Sequence, residues 1–151
     1  SDLRETLRRY EATEDYQNPE YIAASHQYDL RHVVRMAEMP QDYLDALEAM
    51  EADPTVYHTM NGPNEFHVVG TMADWTIIDR LPQIEVPTLV VAGEFDEAQP
   101  IVWEPFVEHI PDVRSHVFAD ASHCSHLEKP EEFRSVIAAF LTDVENKETH
   151  E

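Results

Sequence analysis

The sequence predicts an α/β protein in two parts. A helical region over residues 1–80 is followed by parallel strands and helices over residues 81–151. Two observations lead to this fold class. In the first part, apolar residues recur at the three- and four-residue spacing of amphipathic helices. In the second part, residues 86–93 form an unbroken β-rich apolar run, typical of a parallel strand covered on both faces.

Three helices are predicted in the first part. The first begins at Asp2, and the second begins at Asn18, a favourable N-cap followed by a proline that fits the first helical turn. The second helix should run to Pro40, because proline cannot continue a helix. A third helix begins at Gln41, and the turn signal Asn-Gly-Pro-Asn at residues 61–64 ends this stretch.

The second part alternates strands and helices. After the strand at residues 86–93, the pattern predicts a helix at 102–110, a strand at 114–119 and a last helix from Pro130 onward. This order makes one right-handed parallel crossover. Because two parallel strands do not make a stable sheet, other sequence must complete it. We therefore expect the chain alone to aggregate or to depend on a partner, since a strand edge is left open.

The composition excludes several classes of partner. The chain has 31 acidic and 10 basic residues and a formal net charge of −21. This charge repels phosphates, so nucleic acids and anionic membrane surfaces are poor partners. No apolar run reaches the roughly 18 residues of a membrane span, and no leader pattern opens the chain. The three glycines lie too far apart for a phosphate-binding loop.

Two further features concern the environment of the protein. The single cysteine, Cys124, excludes an internal disulfide and fits a reducing, cytoplasmic location. The basic residues are mostly arginine, with lysine only at Lys129 and Lys147. Many carboxylates with few lysines suggest a halophilic protein, whose self-repulsion is screened at high salt.

Polar residues follow both predicted strands, at the point where each strand ends. Asp96 lies in an acidic cluster after the first strand, and His123 lies in the segment after the second. Because the carboxyl ends of parallel strands meet at one edge of a sheet, we expect these two side chains to form a hydrogen bond. Such a bond holds an imidazole in the tautomer that a general base requires.

These segments resemble the end of an α/β-hydrolase. The motifs are Val-Pro-Thr-Leu-Val at residues 86–90, Gly-Glu-Phe-Asp-Glu at 93–97, Ser-His at 122–123 and Leu-Glu-Lys-Pro-Glu-Glu-Phe at 127–133. Within that superfamily, the segments at residues 7–10, 18–21, 61–66 and 70–75 resemble the proline iminopeptidase branch. The resemblance implies the carboxyl-terminal part of a hydrolase core at residues 81–151, preceded by the helical cap domain of the family at residues 1–80.

One part of such an enzyme is missing from the chain. In this fold a nucleophilic serine in the motif Gly-x-Ser-x-Gly precedes the acid and the histidine, and no serine here lies in that motif. The oxyanion-hole segment, which comes earlier still, is missing as well. The resemblance therefore implies a partner, an N-terminal half that carries the serine, as a second chain or as absent sequence.

The resemblance also implies an activity, the release of an N-terminal residue, often proline, from small peptides. Asp96 would orient His123, and His123 would act as general base for the absent serine. Cap carboxylates would bind the free amino group of the substrate, and Glu20, Glu51 and Glu65 are the candidates. No cofactor and no metal are expected.

Several alternatives stay open. Trp75 and Phe66 either wall a pocket for a proline ring or pack structurally. His126 competes with His123 as the base, and both histidines with Cys124 suggest a metal site, although no second ligand cluster has zinc-site spacing. The enzyme could act on another ester or amide. The chain could also be a non-catalytic binding or assembly module that has lost its serine.

Overall fold

The computed structural model describes residues 2–148, without the side chain of Glu148. The chain divides into two compact units. The first comprises the residues up to Leu30 together with Met36–Thr76, and the second comprises Arg31–Arg35 together with the residues from Ile77 onward. The division at Thr76 precedes the predicted boundary after residue 80, and the short segment Arg31–Arg35 is separated in sequence from the rest of its unit.

The first unit is helical, as the apolar spacing predicts. Its helices are α1 (Leu3–Glu11), α2 (Pro19–His32, whose last two residues lie in the second unit), α3 (Gln41–Ala52) and α4 (Thr55–Met60). Leu7, Tyr21 and Ala24 are buried together and are surrounded by partly buried apolar residues of α1 and of the following loops. The predicted turn at residues 61–64 is present, and Gly62 has a φ of 113°, which glycine adopts without strain.

The second unit contains a two-stranded parallel sheet. Its elements are a 3-10 helix (Ile78–Gln83), β1 (Thr88–Gly93), α5 (Pro100–His109), β2 (Val113–Phe118), α6 (Ser125–Glu128) and α7 (Pro130–Glu148). The strand register pairs Thr88 with Val113 and Gly93 with Phe118. Phe118 is fully buried and stacks on Phe133 of α7, with 5.5 Å between the ring centroids.

The strands are less covered than the sequence predicts. Residues 88–91 of β1 are only half-buried, and Val117 of β2 is exposed. The physical reason is that this sheet has two strands, so its faces have few neighbours to pack against. Several large apolar side chains of this unit are exposed as well, namely Val86, Ile101, Val102 and Leu141.

The predicted end of the second helix is wrong. Helix α2 stops at His32, well before Pro40, and the next carbonyl groups of the chain have partners outside any helix. The carbonyl oxygen of His32 accepts hydrogen bonds from the backbone N–H groups of Glu97 (3.2 Å) and His123 (3.1 Å). These contacts join segments distant in sequence, so helical periodicity gives no sign of them.

Three short elements were not predicted from the sequence: α4, the 3-10 helix and α6. Each has four to six residues, which is at most two helical turns. A periodic apolar pattern cannot be recognised over so short a length.

Candidate active site

The site lies where β1 and β2 end side by side. Beyond the paired residues Gly93 and Phe118, the two following loops remain joined. The N–H of Glu94 donates to the carbonyl of Phe118 (3.0 Å), and the N–H of Phe95 donates to the carbonyl of Ala121 (2.8 Å). The parallel pairing thus brings the acidic cluster and the histidine-containing segment to one edge of the sheet.

Asp96 is almost completely buried, with 5% of its surface exposed. Its Oδ2 accepts a hydrogen bond from the N–H of Gly93 (3.1 Å), and its Oδ1 accepts one from the N–H of Ala98 (2.8 Å). The ring Nδ1 of His123 lies 2.9 Å from the same Oδ1. Burial opposes ionisation of Asp96, but these hydrogen bonds outweigh it and hold the pKa of Asp96 below its usual range.

The predicted contact between Asp96 and His123 is therefore present. Since the Asp96 carboxylate is ionised, Nδ1 of His123 carries the hydrogen and donates it. This leaves Nε2 as the ring nitrogen that exchanges a proton with a nucleophile. The side chain of His123 is 50% exposed, whereas that of Asp96 is 7% exposed. Chemically, the arrangement is an oriented base supported by a buried acid.

Both loops are held by a segment to which the sequence pattern assigned no role in the site. We call Arg31–Arg35 the strap. The carbonyl oxygen of His32 accepts a hydrogen bond from each loop, as described above. In addition, Nδ1 of His32 lies 2.9 Å from the carbonyl oxygen of Phe95. The guanidinium of Arg35 lies 4.0 Å from the centroid of the Phe95 ring. The strap therefore contacts the residue that precedes Asp96 and the backbone of His123.

Glu128 at the end of α6 and Glu97 beside Asp96 were also given no role from the sequence. The carboxylate of Glu128 accepts hydrogen bonds from Ser122 and from the backbone N–H of Arg35. Oε2 of Glu97 is buried. The position of Glu128 five residues after His123 was visible in the sequence, but only the tertiary structure shows what it binds.

The rival histidine has different surroundings. The ring of His126 packs edge-on against Phe133, with centroids 5.9 Å apart, whereas the hydrogen bond to Asp96 comes from His123. Among residues 2–148, no group of three His, Cys, Asp or Glu side chains is arranged to hold a metal ion.

The predicted substrate-binding residues lie in the helical unit. Glu20 on α2 forms an ion pair with Arg9 (2.8 Å) and accepts a hydrogen bond from the hydroxyl of Tyr10 (2.6 Å). The bond from Tyr10 and then that from Arg9 lower the pKa of Glu20. Glu51 on α3 and Glu65 in the loop after α4 are exposed.

The two aromatic candidates differ in burial. Phe66 packs against the core of the helical unit and lies 4.3 Å from Tyr28 between ring centroids. This contact fits the structural interpretation of Phe66. Trp75 is 63% exposed, so its aromatic face is open to a ligand or to another part of the protein.

Known proteins share this architecture. No family model matches the chain. A proline iminopeptidase from Thermoplasma volcanium is 39% identical over 138 residues, which cover 91% of this chain and 46% of that protein. The crystal structure of the Mycobacterium smegmatis proline iminopeptidase is 59% identical with a TM-score of 0.85, covering 94% of this chain and 48% of that one. The structure of VinJ is 45% identical with a TM-score of 0.90, covering 95% of this chain and 48% of that one.

Fold and comparisons together define the class of protein: the chain is the carboxyl-terminal part of an α/β-hydrolase. Within this class it is similar to the proline iminopeptidases, so the predicted fold class and resemblance are confirmed. The chain spans about half the length of the relatives it matches. Within residues 2–148, no helix is both long enough and apolar enough to cross a bilayer.

Proposed function

We propose that this chain supplies the acid and the base of a serine aminopeptidase that releases an N-terminal residue, often proline, from small peptides. The observation that carries the proposal is the 2.9 Å hydrogen bond between Asp96 and His123 at the ends of two parallel strands. The likeness to proline iminopeptidases supports the substrate class. The serine nucleophile comes from an N-terminal half that is not part of this chain.

The mechanism follows from the orientation of the imidazole. The serine hydroxyl attacks the carbonyl carbon of the first peptide bond while Nε2 of His123 accepts its proton. The imidazolium is stabilised by the ionised carboxylate of Asp96 through Nδ1–H. His123 then donates the proton to the departing amine. Water, deprotonated by His123 in the same way, then attacks the acyl-enzyme carbonyl, and His123 returns the proton to the departing serine oxygen as the N-terminal residue is released.

Binding of the substrate's amino group is assigned to cap carboxylates, among which the charges favour Glu65. Asp29 is near enough to Glu65 to interact electrostatically, and burial, followed by the charge of Glu65, raises the pKa of Asp29 to about 6. Two carboxylates that repel each other are both stabilised by a bound ammonium. Glu20 already has Arg9 as its partner, and Glu51 stands exposed on α3.

The test of the base uses the enzyme assembled from this chain and the serine-bearing half. Its turnover of prolyl and alanyl p-nitroanilides is measured for the wild type, His123→Ala and the matched control His126→Ala. We expect His123→Ala to lower kcat about 10⁴-fold or more and His126→Ala to stay near wild type. Full activity in His123→Ala would exclude the assignment, and hydrolysis of other esters or amides but of neither anilide would change the substrate class.

The amine site has a separate test. Glu65→Gln should raise KM for prolyl p-nitroanilide with a smaller change in kcat, because the ammonium is bound in the ground state and the transition state alike. Glu48→Gln, which removes an exposed carboxylate of the same unit that is not a candidate, is the control. Equal KM values for the two variants would argue against Glu65 as the amine-binding carboxylate.

A further inference from the structure

Glu128 binds the loop between β2 and α6 (residues 119–124, the loop of His123) at Ser122, the residue directly before the histidine. The backbone N–H of Ser122 donates to Oε2 of Glu128 at 2.9 Å, and the hydroxyl of Ser122 donates to Oε1. Ser122 is fully buried, so solvent does not replace these bonds when they are lost. The same Oε1 accepts a hydrogen bond from the backbone N–H of Arg35 (2.9 Å). One carboxylate thus joins the loop to the strap.

The strap binds the next two residues of that loop. The N–H of His123 donates to the carbonyl of His32 (3.1 Å), and the N–H of Cys124 donates to the carbonyl of Val33 (2.9 Å). Three successive N–H groups, those of residues 122–124, are therefore bound by Glu128 and the strap. The backbone of the loop takes its position from these partners, and the strap in turn is fixed to Glu128.

We propose that Glu128 is a positioning residue for His123: by joining Ser122 to Arg35, it sets the backbone from which the imidazole reaches Asp96. The inference rests on the proposed function for its effect on catalysis. Glu128 itself acts through Ser122 and the strap and not on the substrate. Its loss shifts His123, and a shift of about 1 Å in a reacting group lowers turnover by about 100-fold.

The test compares Glu128→Ala with Glu128→Gln and with Glu131→Ala, a matched control at an exposed acid three residues further on. The assembled enzyme is used for two measurements. One is kcat and KM for prolyl p-nitroanilide. The other is the far-downfield NMR signal of the His123 Nδ1 proton in the absence of substrate, assigned by its loss in His123→Ala. The signal reports the Asp96–His123 hydrogen bond directly.

We expect Glu128→Ala to lower kcat by about 10- to 100-fold with KM within about 2-fold, and to shift or broaden the downfield signal. Glu128→Gln keeps an acceptor oxygen, so its loss of kcat and its change in the downfield signal should both be smaller than those of Glu128→Ala. Glu131→Ala should match the wild type. Ser122→Ala removes only the hydroxyl donor and should shift the signal in the same direction, which keeps the proposal testable if Glu128→Ala does not fold.

Two results would overturn the inference: a downfield signal and kcat in Glu128→Ala equal to those of Glu131→Ala, or a loss of kcat with an unmoved signal. Failure of the proposed function is distinguishable, because it would be seen in the wild type as absence of turnover. The downfield signal would still decide whether Glu128 positions His123.

Discussion

At the scale of single residues, Asp96 shows how a buried charge is maintained. A carboxylate withdrawn from water needs hydrogen-bond donors in place of its hydration shell. Asp96 receives them from Gly93, Ala98 and His123. Two of the three donors are backbone N–H groups within three residues of Asp96, so the local backbone conformation stabilises the carboxylate independently of the histidine.

The pKa of Asp29 is shifted upward, opposite to that of Asp96, and this gives a prediction about how stability depends on pH. Its pKa in the folded protein is raised to about 6, mainly by burial, so the folded state binds this proton more tightly than the unfolded state. The free energy of unfolding therefore falls as the pH rises from about 4 to 6. We expect Asp29→Asn to be more stable than the wild type at pH 8, by on the order of 1–2 kcal/mol, and to lose this advantage at pH 4. The expected difference is modest because solvent partly screens the Asp29 carboxylate.

Urea unfolding of the assembled protein at both pH values measures the difference. Glu20→Gln serves as a control of opposite sign, because the pKa of Glu20 is lowered and its carboxylate favours the folded state at neutral pH. An Asp29→Asn variant less stable than the wild type at pH 8 would show that the Asp29 carboxylate has a stabilising partner.

At the scale of elements, the close approach of the two strand ends determines the site. A Cβ atom on Gly93 would lie 2.6 Å from the carbonyl oxygen of Ala121 and would be closer still to that of Ser122. These contacts are with backbone atoms, which cannot move away by a change of rotamer as a side chain can. The absence of a side chain at Gly93 thus allows the loop of His123 to lie directly against the end of β1.

Gly93→Ala tests this contact. The added methyl group must push the Ala121–Ser122 backbone away, and overpacking of this kind costs about 1–3 kcal/mol. Because the displaced backbone leads into His123, we expect loss of the downfield Nδ1 signal together with a lower free energy of unfolding. If the free energy of unfolding and the downfield signal both equal those of the wild type, the Ala121–Ser122 backbone can accommodate the methyl group without cost.

At the scale of the whole molecule, the second unit lacks the neighbours that its sheet requires. The sheet has two strands, and apolar side chains around it are exposed, among them Ile101 at 83%. Apolar groups left in water favour association with a complementary surface. The proposed N-terminal half would provide that surface and further strands.

The chain expressed alone is therefore expected to self-associate at micromolar concentration, and to form a one-to-one complex when produced with the serine-bearing half. Sedimentation velocity separates the two outcomes. A monodisperse monomer that unfolds cooperatively would contradict the prediction, because it would show that the open strand edge and exposed apolar groups need no partner.

The charge of the molecule leads to a prediction about salt. With a net charge of −21, self-repulsion should outweigh the few exposed ion pairs such as Arg114–Asp143, which contribute only about 0–1 kcal/mol each. We expect the free energy of unfolding to rise between about 0.1 and 1 M NaCl, as the screening length falls from about 10 to 3 Å. Sucrose at matched osmolality is the control for solvent exclusion, and stability that falls with salt would refute the halophilic interpretation.

The sequence by itself determined the fold class, the longer helices, both strands and the pairing of Asp96 with His123. These follow from local periodicity and from the rule that neighbouring parallel strands end at one edge. Only the tertiary structure revealed the early end of α2, the strap and the bonds of Glu128. Each of these depends on hydrogen bonds between segments distant in sequence, for which composition and spacing carry no signal.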